Sequence, residues 1–126
     1  MDQTLRSELV PQTYAYGKAF EHFIVLELWR LNQLREKDYR FSYLRTKDQA
    51  EIDVIIERPG QSDVLVEIKS KQHVDERDVK TLARFVPDFK HAKAYVFSND
   101  PDVKQYGPVK AVPWSVGLAE IGLVKP

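Results

Sequence analysis

The chain has 126 residues, 43% of them hydrophobic and 30% charged, with 19 Lys and Arg against 19 Asp and Glu. That length fits one globular domain with its own core, and a formal charge of zero means that any affinity for nucleic acid has to come from a local patch. With no cysteine, disulfides and thiolate metal sites are excluded, and neither MDQTLRSELV at the N-terminus nor any later apolar run resembles a signal core or a membrane span, so a soluble, cytoplasmic protein is expected.

A single domain over 1–126 is expected, with residues 1–15 an extension or linker. The spacing of Phe20, Phe23, Ile24, Glu27, Leu28 and Leu31 predicts a helix over Gly17 to Asn32, with Glu21 at the margin of its apolar face. YRFSYLRT and AEIDVIIE follow as two β-rich segments joined by KDQ, with Asp48 as a turn residue. RPGQS marks the next turn, where Pro59 and Gly60 punctuate the chain before a third strand, DVLVEIK. Asp75 is placed to cap a helix whose Val79, Leu82, Ala83 and Val86 face inward and which stops before Pro87. AKAYVFS predicts a fourth strand, PVKAVPW a short fifth, and SVGLAEIGL a last helix with Ser115 as its cap.

Alternation along the third strand puts Val64, Val66 and Ile68 on one face and Leu65, Glu67 and Lys69 on the other. In the second strand the same rule groups Ile52, Val54 and Ile56, leaving Glu51, Asp53 and Ile55 opposite. If the two strands form an antiparallel hairpin about Gly60, Asp53 faces Glu67 at a Cβ separation of roughly 4.5–5.5 Å, where two like charges repel unless a cation stands between them. A hard divalent ion suits such a pair, because magnesium takes oxygen ligands and commonly only one or two protein carboxylates. The pattern alone leaves two readings open. One is a solvated face with a Glu67–Lys69 salt bridge, the other a metal site.

Taken together, GKAFEHFIVLEL, AEIDVII and VLVEIKS resemble the PD-(D/E)XK nuclease superfamily, whose restriction-endonuclease-like core is an α/β fold of order αβββαβ, a mixed central sheet flanked by helices. From about Tyr16 to Ser98 the chain looks most similar to the nuclease-like C-terminal domain of prokaryotic AAA+ type ATPases, and archaeal Holliday junction resolvases carry similar, shorter motifs. The resemblance implies a magnesium- or manganese-dependent hydrolase of DNA phosphodiester bonds, acting on branched or flapped DNA among other forms. It places the helix glutamate on Glu21, the strand aspartate on Asp53 and the E-x-K on Glu67 and Lys69. Asp53, Glu67 and the Ile68 carbonyl would bind the ion, Glu21 would support a second ion or a metal-bound water, and Lys69 would orient or activate the attacking water or clamp the phosphate. The alternative is an inactive nuclease-fold module that binds DNA or partners for an ATPase.

The resemblance has departures. The Q-x-x-x-Y helix signature of the RecB-like branch is missing after Lys69, where KTLARFV stands. No G-x-x-x-x-G-K-[ST] loop occurs, so the chain is not itself the ATPase, and a P-loop ATPase is expected as partner or parent chain; a homodimer stays open. Arg45, Lys47 and Lys71 are the expected nucleic-acid contacts, with Arg40 and Lys80 as further cations for the cleft. His22, His73 and His91 have no metal-ligand spacing, Glu27 reads as either a cleft residue or a partner of a buried cation, and Trp29 and Trp114 read as core or interface.

Overall fold

The computed structural model describes residues 14–125. Most of the expected extension lies outside them, but its last two residues, Tyr14 and Ala15, already belong to the first helix. That helix, α1 (Tyr14–Leu34), starts earlier than its apolar spacing predicts. It buries Phe20, Ile24, Leu28 and Leu31, a single stripe at three-and-four spacing. Phe23, expected in that stripe, is instead 45% exposed and meets Trp114 edge-on, with ring centroids 5.4 Å apart.

After α1 the chain reverses through left-handed Glu36 and Asp38. The Asn32 side chain secures this turn by accepting from the Tyr39 amide (2.8 Å) and donating to the Tyr39 carbonyl (2.9 Å). Strands β1 (Arg40–Arg45), β2 (Glu51–Glu57) and β3 (Val64–Ile68) then form an antiparallel meander. In the first connection Asp48 lies within the turn, but it is Gln49 that adopts the left-handed conformation. In the second, Gly60 has a φ of 71°, which glycine adopts at no steric cost, and the paired positions Val54↔Val66, Ile55↔Leu65 and Ile56↔Val64 have numbers that sum to 120, the register expected from a turn about Gly60.

Helix α2 (Glu76–Phe85) links β3 to the parallel strand β4 (Lys93–Ser98). Its cap is as expected: the Asp75 carboxylate accepts from the Arg77 amide, and Asp78 accepts from the Asp75 amide in return, closing a capping box. Pro87 sits in a 3-10 turn (Val86–Asp88) that ends the helical run. The C-terminal region holds two strands where one was expected, β5 (Lys104–Tyr106) and β6 (Val109–Pro113), an antiparallel pair joined at left-handed Gly107, with β6 parallel to β4. Helix α3 (Trp114–Glu120) begins directly after Pro113, so Ser115 lies inside it and is not its cap.

The result is a mixed six-stranded sheet, ordered β1-β2-β3-β4-β6-β5, with helices on both faces, an α/β architecture as expected. On one face Val54, Ile56, Val64, Val66, Ile68 and Phe97 pack under α1 and α3; on the other Ile55, Leu65, Ala94 and Val96 pack under α2. Ile52 breaks the alternation. It packs on the α2 side with Ile55, not on the α1 side with Val54 and Ile56. The cause is a β-bulge: from Ser42 to Leu44 β1 advances two residues, while their partners Ile55 and Ile52 are three apart. Among the described residues, no helix is long and apolar enough to cross a membrane.

The packing of α3 gives a test. A Cβ on Gly117 would overlap the ring of Phe97, which is fully buried. Alanine ordinarily favours a helix over glycine by about 1 kcal/mol. Overpacking of a filled core costs about 1–3 kcal/mol, so Gly117→Ala is expected to lower the thermal midpoint by several degrees in a circular-dichroism melt. A midpoint equal to or above wild type would contradict this packing.

Candidate active site

The residues singled out by the sequence gather where β2 begins and β3 ends, at the carboxyl ends of the parallel strands β3 and β4. Open α/β sheets bind ligands beyond those ends. The Lys69 amide donates to the Phe97 carbonyl of β4 at 2.9 Å, so by strand alternation the amide and carbonyl of Ile68 point the other way, towards β2. The regular β2–β3 pairing has stopped there, and the Ile68 amide donates to Oδ2 of Asp53 at 2.8 Å. The bulge lies in this part of β2, and bulges commonly re-aim side chains beside functional sites. Asp53 thus stands at the fork between β2 and β3, next to the backbone of Ile68.

Its surroundings oppose ionisation. Burial, opposed by the hydrogen bond from the Ile68 amide and reinforced by the charges of Glu21, Glu67 and Glu51, lifts the Asp53 carboxyl from 3.8 to about 7. Glu67 is also held above its ordinary range, chiefly by burial, against the pull of Lys69 and with added repulsion from Asp78 and Glu51. The Glu67 side chain is only 14% exposed; Oε1 lies 3.4 Å from Lys69 Nζ, whereas Oε2 is buried with no hydrogen-bond partner. A buried carboxylate oxygen without a donor is costly. In their ionised forms these two carboxylates are therefore incompletely compensated by the donors and cations around them.

Glu21 reaches the same region from α1, with its side chain 35% exposed and 4.0 Å from Lys18. It influences Asp53 electrostatically, but among the described residues no group of three or more Asp, Glu, His or Cys side chains is arranged to hold a metal ion. The groups that would be available to a hard cation, as the resemblance implies, are Asp53, Glu67 and the Ile68 carbonyl, with water for the remaining positions. Magnesium commonly requires no more from a protein. The unpartnered Oε2 of Glu67 and the raised proton affinity of Asp53 are what such a cation would relieve.

The expected nucleic-acid contacts are spread more widely. Lys71 follows β3 and makes two bonds to Asp78 of α2, at 2.8 and 3.0 Å. Arg45 pairs with Glu51 at 3.2 Å on the exposed β1–β2 hairpin, and Lys47 is exposed in its turn. Arg40 departs from expectation: it lies opposite Glu57 in the β1–β2 ladder, at the other end of the sheet. A larger cavity of about 600 Å³ opens there, lined by Arg40, Glu57 and Arg58 among others. Two of its lining residues are tied to the C-terminal region: the Arg58 guanidinium and the Tyr39 hydroxyl donate to the Ile121 carbonyl at 3.5 and 2.8 Å. Glu27 is taken up by a two-pronged bond to Arg30 on α1, and Trp29 is 54% exposed against Phe41.

Two contributors escaped sequence reasoning. Asp78 caps α2, holds Lys71 and raises the proton affinity of Glu67, and its position three residues after the Asp75 cap is a readable capping-box signal. Asn99 fixes the exit of β3 by donating its amide to Lys71 O (3.1 Å) and its side chain to Ser70 O (3.2 Å); no local pattern marks it.

A protein-family model described as a domain of unknown function (DUF4143) matches residues 16–116, and that description assigns no activity. No curated protein and no solved structure matches the chain.

The raised Asp53 carboxyl has a thermodynamic consequence. Because the folded state holds this proton more tightly than the unfolded chain, stability falls as pH rises from about 4 to about 7 and levels off above that. Asp53→Asn keeps an acceptor for the Ile68 amide and abolishes the charge. In chelator it is expected to be more stable than wild type at pH 8, with the gap closing towards pH 5. Parallel melts at the two pH values check this, and a gap that is constant or reversed would contradict the burial of Asp53.

Proposed function

The chain belongs to the DUF4143 family, and from the site geometry we propose that it is a divalent-metal-dependent hydrolase of DNA phosphodiester bonds. The observation that carries this reading is the pair of buried, under-neutralised carboxylates, Asp53 and Glu67, at a forked sheet end that also presents Lys69. The resemblance of GKAFEHFIVLEL, AEIDVII and VLVEIKS to PD-(D/E)XK nucleases supports it. Asp53, Glu67 and the Ile68 carbonyl would hold magnesium or manganese. When bound, the ion supplies a Lewis acid for phosphoryl oxygens and lowers the pKa of water.

The protein's own groups do the rest. The amide of Ile68 fixes one oxygen of Asp53, and the other would be left to bind the ion. Lys69, tethered by Glu67 and 35% exposed, presents an ammonium where charge gathers on a phosphate, and either orients the attacking water or clamps the phosphoryl group. Glu21, on the open side, is placed to accept hydrogen bonds from water. As a domain of this kind it would act in the cytoplasm on DNA, alone or attached to a P-loop ATPase.

A second reading has its own observation. Lys69 is already paired with Glu67, and an oxygen of Asp53 is already bonded to backbone, so these groups also suffice as a self-contained structural unit of a non-catalytic ATPase module.

Cleavage assays over linear, flapped and branched DNA separate the two. For a hydrolase, wild type cuts at least one of these in magnesium or manganese, and Lys69→Ala and Asp53→Ala each reduce the rate by about 10²–10³-fold, the effect typical of losing a preorganised charge stabiliser. Metal should also raise the thermal midpoint of wild type and not that of Asp53→Ala. Absence of cleavage with every DNA and both metals would leave the module reading standing.

A further inference from the structure

Between the start of α1 and the residues after β3 runs a shallow groove of about 200 Å³. It is lined by three lysines, Lys18, Lys69 and Lys71, and by Glu21, and each lysine is paired with a carboxylate, Lys18 with Glu21, Lys69 with Glu67 and Lys71 with Asp78. At its mouth stands Tyr14, 82% exposed, with Lys18 Nζ 5.7 Å from the ring centroid. Resting on the hydrolase reading above, we infer that this groove holds a single strand of nucleic acid, with Tyr14 stacked on an unpaired base and Lys18 and Lys71 facing phosphates as the strand passes to Lys69.

Three observations carry the inference. The open Tyr14 ring can be covered by a base only if that base has a free face, which bases inside a duplex lack, and unlike the exposed Tyr43 it lines a groove with lysines; an aromatic platform beside such a groove is the arrangement that single-strand binders use. One lysine can change partners. Lys18 is 59% exposed in a 4.0 Å pair with Glu21, and an ion pair so open to solvent contributes little, so its exchange for phosphate is cheap; Lys71, 43% exposed, stays with Asp78, whose side chain is only 11% exposed, and faces a phosphate from there. The floor is also closed: a Cβ on Gly17 would lie 3.7 Å from Ser70 Oγ, so α1 and the β3 exit approach closely and leave a channel suited to one backbone. It ends at Ile68 and Lys69, which brings a bound strand to the candidate site.

The test is fluorescence polarisation in chelator with the same short sequence as single-stranded DNA, single-stranded RNA and duplex DNA. Either single strand is expected to bind more tightly than duplex, and the tighter of the two identifies the natural chemistry. Tyr14→Ala should weaken single-strand binding about tenfold while Tyr14→Phe retains it. Lys18→Ala should weaken it and flatten its salt dependence. Tyr43→Ala, which removes another exposed aromatic ring on β1, should change nothing. Duplex binding as tight as single-strand binding, or an unaffected Tyr14→Ala, overturns the inference. Cleavage of the same oligonucleotides in manganese keeps the two claims separate. Duplex cleavage that ignores Tyr14 would sink the inference and spare the hydrolase, whereas Tyr14-dependent binding without cleavage would do the reverse.

Discussion

The hydrogen bond from the Ile68 amide to the Asp53 carboxylate is the contact on which the candidate site depends. It joins β2 to β3 at the point where regular pairing ends, and so does two things at once. It satisfies a backbone donor left over when the strands part, and it holds a carboxylate in a place where burial and Glu21, Glu67 and Glu51 all resist its ionisation. An acid in such a place gains little from solvent, and its proton is readily exchanged for a cation. The bulge in β2 is the geometric counterpart of this bond, since one extra residue between Ile52 and Ile55 lets both of these isoleucines pack under α2 while Val54 packs under α1.

The rest of the fold holds that junction still. Parallel pairing of β3 with β4 fixes which way the Ile68 amide points, and Asn99, just beyond β4, bonds the carbonyls of both Ser70 and Lys71. Asp78 ties α2 to the same exit through Lys71. At the far end of the sheet, Arg58 and Tyr39 converge on the Ile121 carbonyl and bind the meander to the C-terminal helix. Apolar cores cover both faces, and among the described residues buried side-chain atoms without a partner occur at the forked end, on Glu67, and on Glu120 of α3.

Much of this was legible in the sequence where a local rule governs. Gly60 supplied the left-handed turn residue, so the β2–β3 register followed from counting outward, and Asp75 supplied a helix cap that the structure retains. Alternation along the E-x-K pattern puts Glu67 and Lys69 on one face, and their side chains do meet at 3.4 Å although β3 itself ends at Ile68. The failures arose where one-for-one alternation breaks or where the signal is short. A bulge cannot be read from Ile-Asp-Val-Ile, whose apolar residues serve either face, so Ile52 was assigned to the wrong side. β5 is only the polar tripeptide Lys104–Tyr106, visible through Gly107 and not through periodicity. Phe23 obeys the helical spacing yet faces outward, because the sheet beneath α1 is filled by Phe20, Ile24 and Leu28. The ionic neighbours of Asp53 come from α1, β2 and β3, a tertiary fact that spacing cannot supply.

The claim that Asp53 and Glu67 form a cation site is tested most directly by calorimetric titration of manganese near pH 6.5 in two buffers of different ionisation enthalpy. Asp53 titrates near this pH, so binding should displace its proton. The expected result is one ion per chain with a buffer-dependent heat that reports proton release, and loss of both in Asp53→Asn and Glu67→Gln. Binding that is absent in wild type, or that persists in both variants with no proton released, would contradict the site.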